Sequence, residues 1–126
     1  MRYLIDTHVV LMVLKGERIS QLAKEALDDV TSEVFVSIAS AWEIAIKVSI
    51  GKLKYSGGVK AFFEDVKQNG FTLLDIRESH IDLVEKLDYH HCDPFDRLLI
   101  ATAEVEGMTF ISADENVSKY NAKWLW

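Results

Sequence analysis

Apolar residues in this chain fall into short continuous runs, each followed by a stretch in which they recur at helical spacing. Tyr3-Leu4-Ile5 ends at Asp6-Thr7, and Val9 to Leu14 then reads as the start of a largely buried helix packed on a sheet. Ile19, Leu22, Ala23, Ala26, Leu27 and Val30 keep helical spacing behind Ser20, a capping residue, and Val34-Phe35-Val36 forms a short strand. A helix apolar on most faces runs through Ala39 to Ile46. Val59 to Gln68 is amphipathic and ends at Asn69-Gly70, Phe71 to Ile76 is strand-like, and Glu78 to Leu87 is helical again. Asp93-Pro94 opens a long helix through Leu98-Leu99-Ile100-Ala101. Met108 to Ser112 is β-prone, and Ala122 to Trp126 adds a last edge strand. This alternation predicts an α/β fold: a central parallel sheet of about five short strands, right-handed crossovers and helices on both faces.

Length and composition agree with a single domain over residues 1–126, since 49% hydrophobic content in 126 residues supplies one core. Pro94 and the Gly57-Gly58 pair mark local turns rather than boundaries. The one cysteine, Cys92, excludes an intramolecular disulfide. With neither a signal-peptide pattern nor a span of about 20 apolar residues, a soluble cytoplasmic protein without membrane contact is expected.

The chemistry lies in four carboxylates, Asp6, Glu43, Asp96 and Asp114, each at or near a point where a strand-like run gives way to a helical one. In an open α/β sheet those points gather at one edge. Each acid also has a simpler use. Asp93 as N-cap, Pro94 at the first helical position and Asp96 two residues later suit a helix start on dipole grounds alone. Asp6 and Asp114 can also cap helices. Glu43 has Lys47 one turn on, an i,i+4 pair worth about 0.2–0.5 kcal/mol. The conjunction is what matters: four carboxylates at one pole repel unless protonated or bound to cations, and hard oxygen donors suit Mg²⁺ or Mn²⁺.

These residues stand in four segments: Leu4-Ile5-Asp6-Thr7; Ser40-Ala41-Trp42-Glu43-Ile44-Ala45-Ile46-Lys47 with Gly51-Lys52-Leu53; Asp93-Pro94-Phe95-Asp96-Arg97-Leu98-Leu99-Ile100-Ala101; and Ile111-Ser112-Ala113-Asp114. In that order and spacing the chain resembles, over nearly its full length, PIN-domain ribonucleases, specifically the toxin subunits of VapBC-type toxin–antitoxin pairs. The resemblance implies a PIN-like α/β/α sandwich and Mg²⁺- or Mn²⁺-dependent hydrolysis of RNA phosphodiester bonds. It maps the family's four acids to Asp6, Glu43, Asp96 and Asp114. Asp6, Asp96 and Asp114 would hold the metal, and Glu43 would share the ion or orient the attacking water. Thr7 and Ser112 match small hydroxyl residues that support such a centre, and Asp93 is a secondary acid. A cognate antitoxin that covers the acidic pocket and a homodimer formed through helices are implied as partners.

The net charge of −6 looks unsuited to RNA, but setting aside Asp6, Glu43, Asp93, Asp96 and Asp114 leaves −1 on the rest of the chain. Bound cations would invert the sign of the pocket. Arg97, Lys47, Lys52 and Lys54 are candidate rim contacts for RNA, against a plain solvated role. Trp42 could stack on a base, although its apolar neighbours favour a core position. His90-His91-Cys92 is not a zinc site, because adjacent side chains diverge and no second His or Cys pair completes a tetrahedron. His8 carries no assigned role.

Rival readings are weaker. A phosphorelay receiver domain wants a second acid beside Asp6 and a Lys after a late strand, where Thr7 and Ser112-Ala113-Asp114 stand; a haloacid-dehalogenase-like phosphatase wants an Asp where His8 stands. The remaining alternative is a PIN-like interaction protein with little or no catalytic activity, against which the intact acid set argues.

Overall fold

The computed structural model describes residues 1–126. Its centre is a five-stranded sheet of order β3-β2-β1-β4-β5, built from β1 (Arg2–Ile5), β2 (Glu33–Ser37), β3 (Thr72–Leu74), β4 (Thr109–Ile111) and β5 (Trp124–Leu125). Every neighbouring pair is parallel. Six helices connect the strands: α1 (Thr7–Leu14), α2 (Gln21–Asp28), α3 (Ile38–Ser49), α4 (Gly58–Gln68), α5 (Glu78–Lys86) and α6 (Pro94–Glu106).

Alternation along the strands divides the core into two layers. Tyr3, Ile5, Val34, Val36 and Ile111 face one cluster with Val9, Val10, Ala23, Ala26, Ile44, Phe62 and Val66, which come from α1 to α4. Leu4 and Phe110 face the other with Leu99, Ile100 and Ala103 of α6, and Phe35 packs there too. Successive strand residues point to opposite faces, so β1, wholly apolar from Tyr3 to Ile5, feeds both layers. The α/β/α arrangement expected from the sequence is the one observed.

Helix ends follow local chemistry. Ser20 Oγ accepts the Ala23 amide and starts α2, Ser37 Oγ accepts the Ala39 amide and starts α3, and Asp93 Oδ1 accepts the Phe95 and Asp96 amides ahead of Pro94. Each such cap stabilises its helix by about 1 kcal/mol. α6 stops at Gly107, whose φ of +66° suits the left-handed C-terminal turn. Two expectations were too generous. α2 ends at Asp28, and Leu22 and Val30 are 57% and 98% exposed, so only part of the apolar spacing between Ile19 and Val30 meets the core. β3 covers Thr72–Leu74, a shorter piece than Phe71 to Ile76.

Strand order reverses beside β1: the chain runs outward through β2 and β3, then returns to the other side of β1 as β4 and continues to β5. In an open parallel sheet such a reversal leaves a crevice at the carboxyl ends of the two central strands. Ile5 pairs with Ile111 at those ends, which brings the residues following β1 and β4 side by side.

Candidate metal centre

The crevice is a cavity of about 400 Å³ lined by Asp6, Glu43, Asp93, Asp96 and Asp114, together with Thr7, His8, Leu11, Lys47 and Ala113. The structure thus brings together all four expected acids and the secondary one. Asp6 follows β1 directly, and its backbone amide donates to Ile111 O at 2.9 Å, continuing the ladder one residue beyond the strand. Its carboxylate accepts Ser112 Oγ–H at 2.7 Å and, more weakly, the His8 amide at 3.3 Å. Burial raises the Asp6 pKa, aided by nearby Glu43, and outweighs the lowering by the Ser112 and His8 hydrogen bonds.

Thr7 and Ser40 hydroxyls are 2.7 Å apart and buried, tying the first residue of α1 to α3. Glu43 lies three residues after Ser40 and so on the same stripe of α3. That tie sets Glu43 over the end of β1. Glu43 is 7% exposed; Oε2 accepts from Lys47 Nζ at 2.6 Å, whereas Oε1 is buried with no hydrogen-bond partner. A buried carboxylate oxygen left in this state is costly and calls for a cation or a donor. For Glu43 the i,i+4 pairing and a place in the cavity lining therefore coexist. The hydrogen bond to Glu43 raises the Lys47 pKa, keeping its ammonium charged.

Asp96 sits in the first turn of α6, and its pKa is pushed up to about 7, first by burial and then by repulsion from Asp6 and Asp93, with His91 acting in the opposite sense. Asp114 is different. It caps a 3₁₀ turn (Glu115–Lys119), Oδ1 accepting the Asn116 amide at 2.9 Å, while Oδ2 lies 2.6 Å from His91 Nε2. Burial works to raise its pKa, but the Asn116 and His91 hydrogen bonds prevail and the net shift is downward. Ser112 Oγ also accepts the Asp114 amide at 3.1 Å, so this hydroxyl links the residues that follow β1 and β4.

His91 was not among the residues expected here. Besides Asp114, its Nε2 is 3.2 Å from Asp96 Oδ2, and Nδ1 accepts the Asp93 amide at 3.2 Å. His90 turns away onto Tyr120, ring centroids 5.1 Å apart, as expected for adjacent extended residues. His91 stands two residues before the N-cap of the acid-bearing helix, but its contact with Asp114 spans 23 residues and leaves no local signal in the sequence.

Two expectations are corrected. Arg97 is 5% exposed, and its guanidinium donates to the carbonyls of Val84, Leu87 and Asp88 and lies 4.0 Å from the Tyr89 ring centroid. It closes the carboxyl end of α5 and is not a rim contact for RNA. Trp42 is 59% exposed and packs edge-on against Phe95 with centroids 5.2 Å apart. It lies two residues, a little over half a turn, from both Ser40 and Ile44 on the buried face, which carries it out of the core. Lys52 and Lys54 are exposed after α3, away from the cavity lining.

The donor set fits a hard divalent cation: clustered carboxylates, one with an unpaired buried oxygen, two with raised pKa, and no cysteine among the residues lining the cavity. No helix is long and apolar enough to cross a membrane.

Among solved structures the fold resembles VapBC2 from Rickettsia felis bound to a DNA fragment from their promoter, with a TM-score of 0.78 at 14% identity, covering 100% of this chain and 99% of that one. It also resembles DNA-bound VapBC from Salmonella typhimurium, with a TM-score of 0.75 at 13% identity over 99% and 97% of the two chains. VapBC-1 from nontypeable Haemophilus influenzae gives 0.69 at 15% identity over 99% and 97%. No curated protein matches the sequence. The PIN domain family model matches residues 3–123, a span holding every acid of the crevice, and the chain belongs to the PIN domain family.

Proposed function

We propose that the chain is a Mg²⁺- or Mn²⁺-dependent ribonuclease that hydrolyses RNA phosphodiester bonds, acting as the toxin component of a type II toxin–antitoxin pair. The observation that carries this reading is Glu43 Oε1, buried without a partner in a cavity shared with Asp6 and Asp96. Membership of the PIN family and the likeness to VapBC structures support it.

Asp6 and Asp96 are the principal ligands in this reading. Ser112 and the His8 amide orient the Asp6 carboxylate, and the first turn of α6 carries Asp96 across from it. A bound divalent cation would lower the pKa of its water and offset charge on the phosphoryl oxygens. Glu43, anchored through Oε2 to Lys47, presents Oε1 to orient the attacking water or to share the ion. Thr7, through Ser40, keeps α3 in register with the end of β1. Asp93 holds the start of α6 and adds negative charge that raises the Asp96 pKa. Lys47 is the one expected rim cation that lines the cavity, and it stands 47% exposed for phosphate contact. No covalent protein intermediate is needed.

The toxin role brings partners: a short antitoxin whose apolar segment covers the crevice, and a second copy of the chain packed through helices. Exposed Leu22 on α2, and Trp42 and Ile50 on and beside α3, offer apolar contact area. The work of such a protein is cytoplasmic and fits one domain over 1–126. Purified chain should cleave single-stranded RNA with Mg²⁺ or Mn²⁺, lose cleavage in EDTA and regain it on metal addition. Expression alone should arrest growth, and co-expression of the short reading frame expected immediately upstream should relieve it. Metal-independent cleavage, or none by a folded metal-loaded chain, would defeat the nuclease reading. Harmless expression without such a neighbour would defeat the toxin role alone.

A further inference from the structure

We infer that His91 is a positioning residue whose Nε2–H, hydrogen-bonded to Asp114 and set beside Asp96, fills the space that a second divalent cation held by those two acids would need, so that the crevice takes one ion. The inference rests on the metal-dependent reading above and specifies its stoichiometry.

Three observations carry it. His91 Nε2 is 2.6 Å from Asp114 Oδ2 and 3.2 Å from Asp96 Oδ2, and the ligand atoms of the three residues lie within 4.8 Å of one another. Cations of a two-metal nuclease stand about 3.5–4 Å apart, so a second ion would lie within the same acidic cluster. A second cation held by both Asp96 and Asp114 would need the space that the imidazole N–H fills. Next, His91 Nδ1 accepts the Asp93 amide, which places the ring proton of the neutral imidazole on Nε2. Nε2 therefore faces the acids as a donor, with no lone pair to offer a metal. Finally, Asp114 has both oxygens engaged, Oδ1 by the Asn116 amide and Oδ2 by His91, whereas Glu43 Oε1 on the other side has no partner. Demand for a cation is concentrated at the Glu43 side. The hydrogen bond to His91 meets at Asp114 the need that a metal would meet.

The test counts ions. Mn²⁺ is titrated into the full chain by calorimetry and, in parallel, by electron paramagnetic resonance, which reads free Mn²⁺, spin–spin broadening from a close pair, and nitrogen coupling from a ligated ring. The wild-type protein should bind one Mn²⁺ with no imidazole nitrogen coupling. His91→Ala should bind two, with pair broadening, and His91→Gln, which restores an N–H donor on a side chain of similar length, should return to one. Two ions on the wild-type chain, or nitrogen coupling to its bound Mn²⁺, would overturn the inference, as would a single ion on a His91→Ala protein that melts cooperatively. If His91→Ala does not fold, the wild-type count, the nitrogen coupling and His91→Gln decide. Two ions leave the metal-dependent nuclease intact; no Mn²⁺ binding at all removes that reading together with this one.

Discussion

Asp6 and Asp114 follow neighbouring parallel strands, β1 and β4, and open onto the same crevice, yet their carboxylates are held in contrasting ways. Asp6 is 9% exposed and carries a raised pKa in the company of Glu43 and Asp96. Asp114 has a side chain 34% exposed, both oxygens hydrogen-bonded and a lowered pKa. One side of the crevice stores unfavourable electrostatics, and the other has already discharged them through His91 and a backbone amide. An acidic cluster is thus not one uniform cation trap. Where charge is buried beyond what hydrogen bonds satisfy, a divalent ion gains most.

The strongest way to break this contrast is to remove charge from the strained side. Asp6→Asn and Asp96→Asn should each lower metal-dependent RNA cleavage by about three orders of magnitude, corresponding to about 4 kcal/mol of lost metal assistance. The metal-free proteins should melt at or above the wild-type temperature, because repulsion is relieved. Cleavage and thermal unfolding measured on the same preparations check both; substantial metal-requiring activity in either variant would remove that residue from the ligands.

Glu43→Gln should lower turnover about a hundredfold while weakening Mn²⁺ binding much less if, as in the proposed mechanism, its carboxylate orients the attacking water. Calorimetry beside single-turnover kinetics separates the two. Unchanged turnover would leave Glu43 only its pairing with Lys47.

Acidity sharpens the comparison further. Asp96 has a folded-state pKa of about 7 against an ordinary 3.8, so between those values the folded metal-free chain holds a proton that the unfolded chain has released. Its contribution favours folding at the acid end of that window and is lost as pH rises toward 7. Metal-free stability should accordingly decline between about pH 4 and pH 7 and level off above, while apparent Mn²⁺ affinity climbs by about tenfold per unit in that window, the ion displacing a proton. Chemical denaturation at several pH values should show the decline flattened in Asp96→Asn; an equal slope in the variant would trace it to another group.

Asp114→Asn should have the smallest effect, about tenfold or less on cleavage, because its oxygens already have donors. A loss as large as that of Asp6→Asn would erase the distinction between the two sides.

Much of this was legible in the residues. Apolar runs interrupted by Asp6 and by Ser112-Ala113-Asp114 told where β1 and β4 end, and a parallel sheet then made the acids converge. Asp93-Pro94 announced the start of α6 with Asp96 in its first turn. What could not be read was direction around a helix when nearly every position is apolar. Trp42 and Ile44 look alike in α3, yet only Ile44 is buried. Arg97 misled for a related reason: beside an acid it suggests phosphate, but the free carbonyls at the end of α5 come from residues nine to thirteen positions away and give no local sign. His91 depends on a contact with Asp114 across 23 residues of sequence, and spacing alone does not reveal it.

The hydrogen bond from Ser112 to Asp6 joins residues 106 positions apart, and β4 pairs with β1 across almost the same separation. Contacts so distant along the chain carry a large loop-closure cost and tend to form late. A ribosome making this protein therefore exposes Asp6, Glu43 and Asp96 well before the strand that carries their neighbours has emerged. Products stopped short of Thr109 lack β4, Ser112 and Asp114, so an interrupted round of synthesis releases a fragment without an assembled centre. The crossing of β4 back to β1 thus makes the crevice depend on residues from distant parts of the chain.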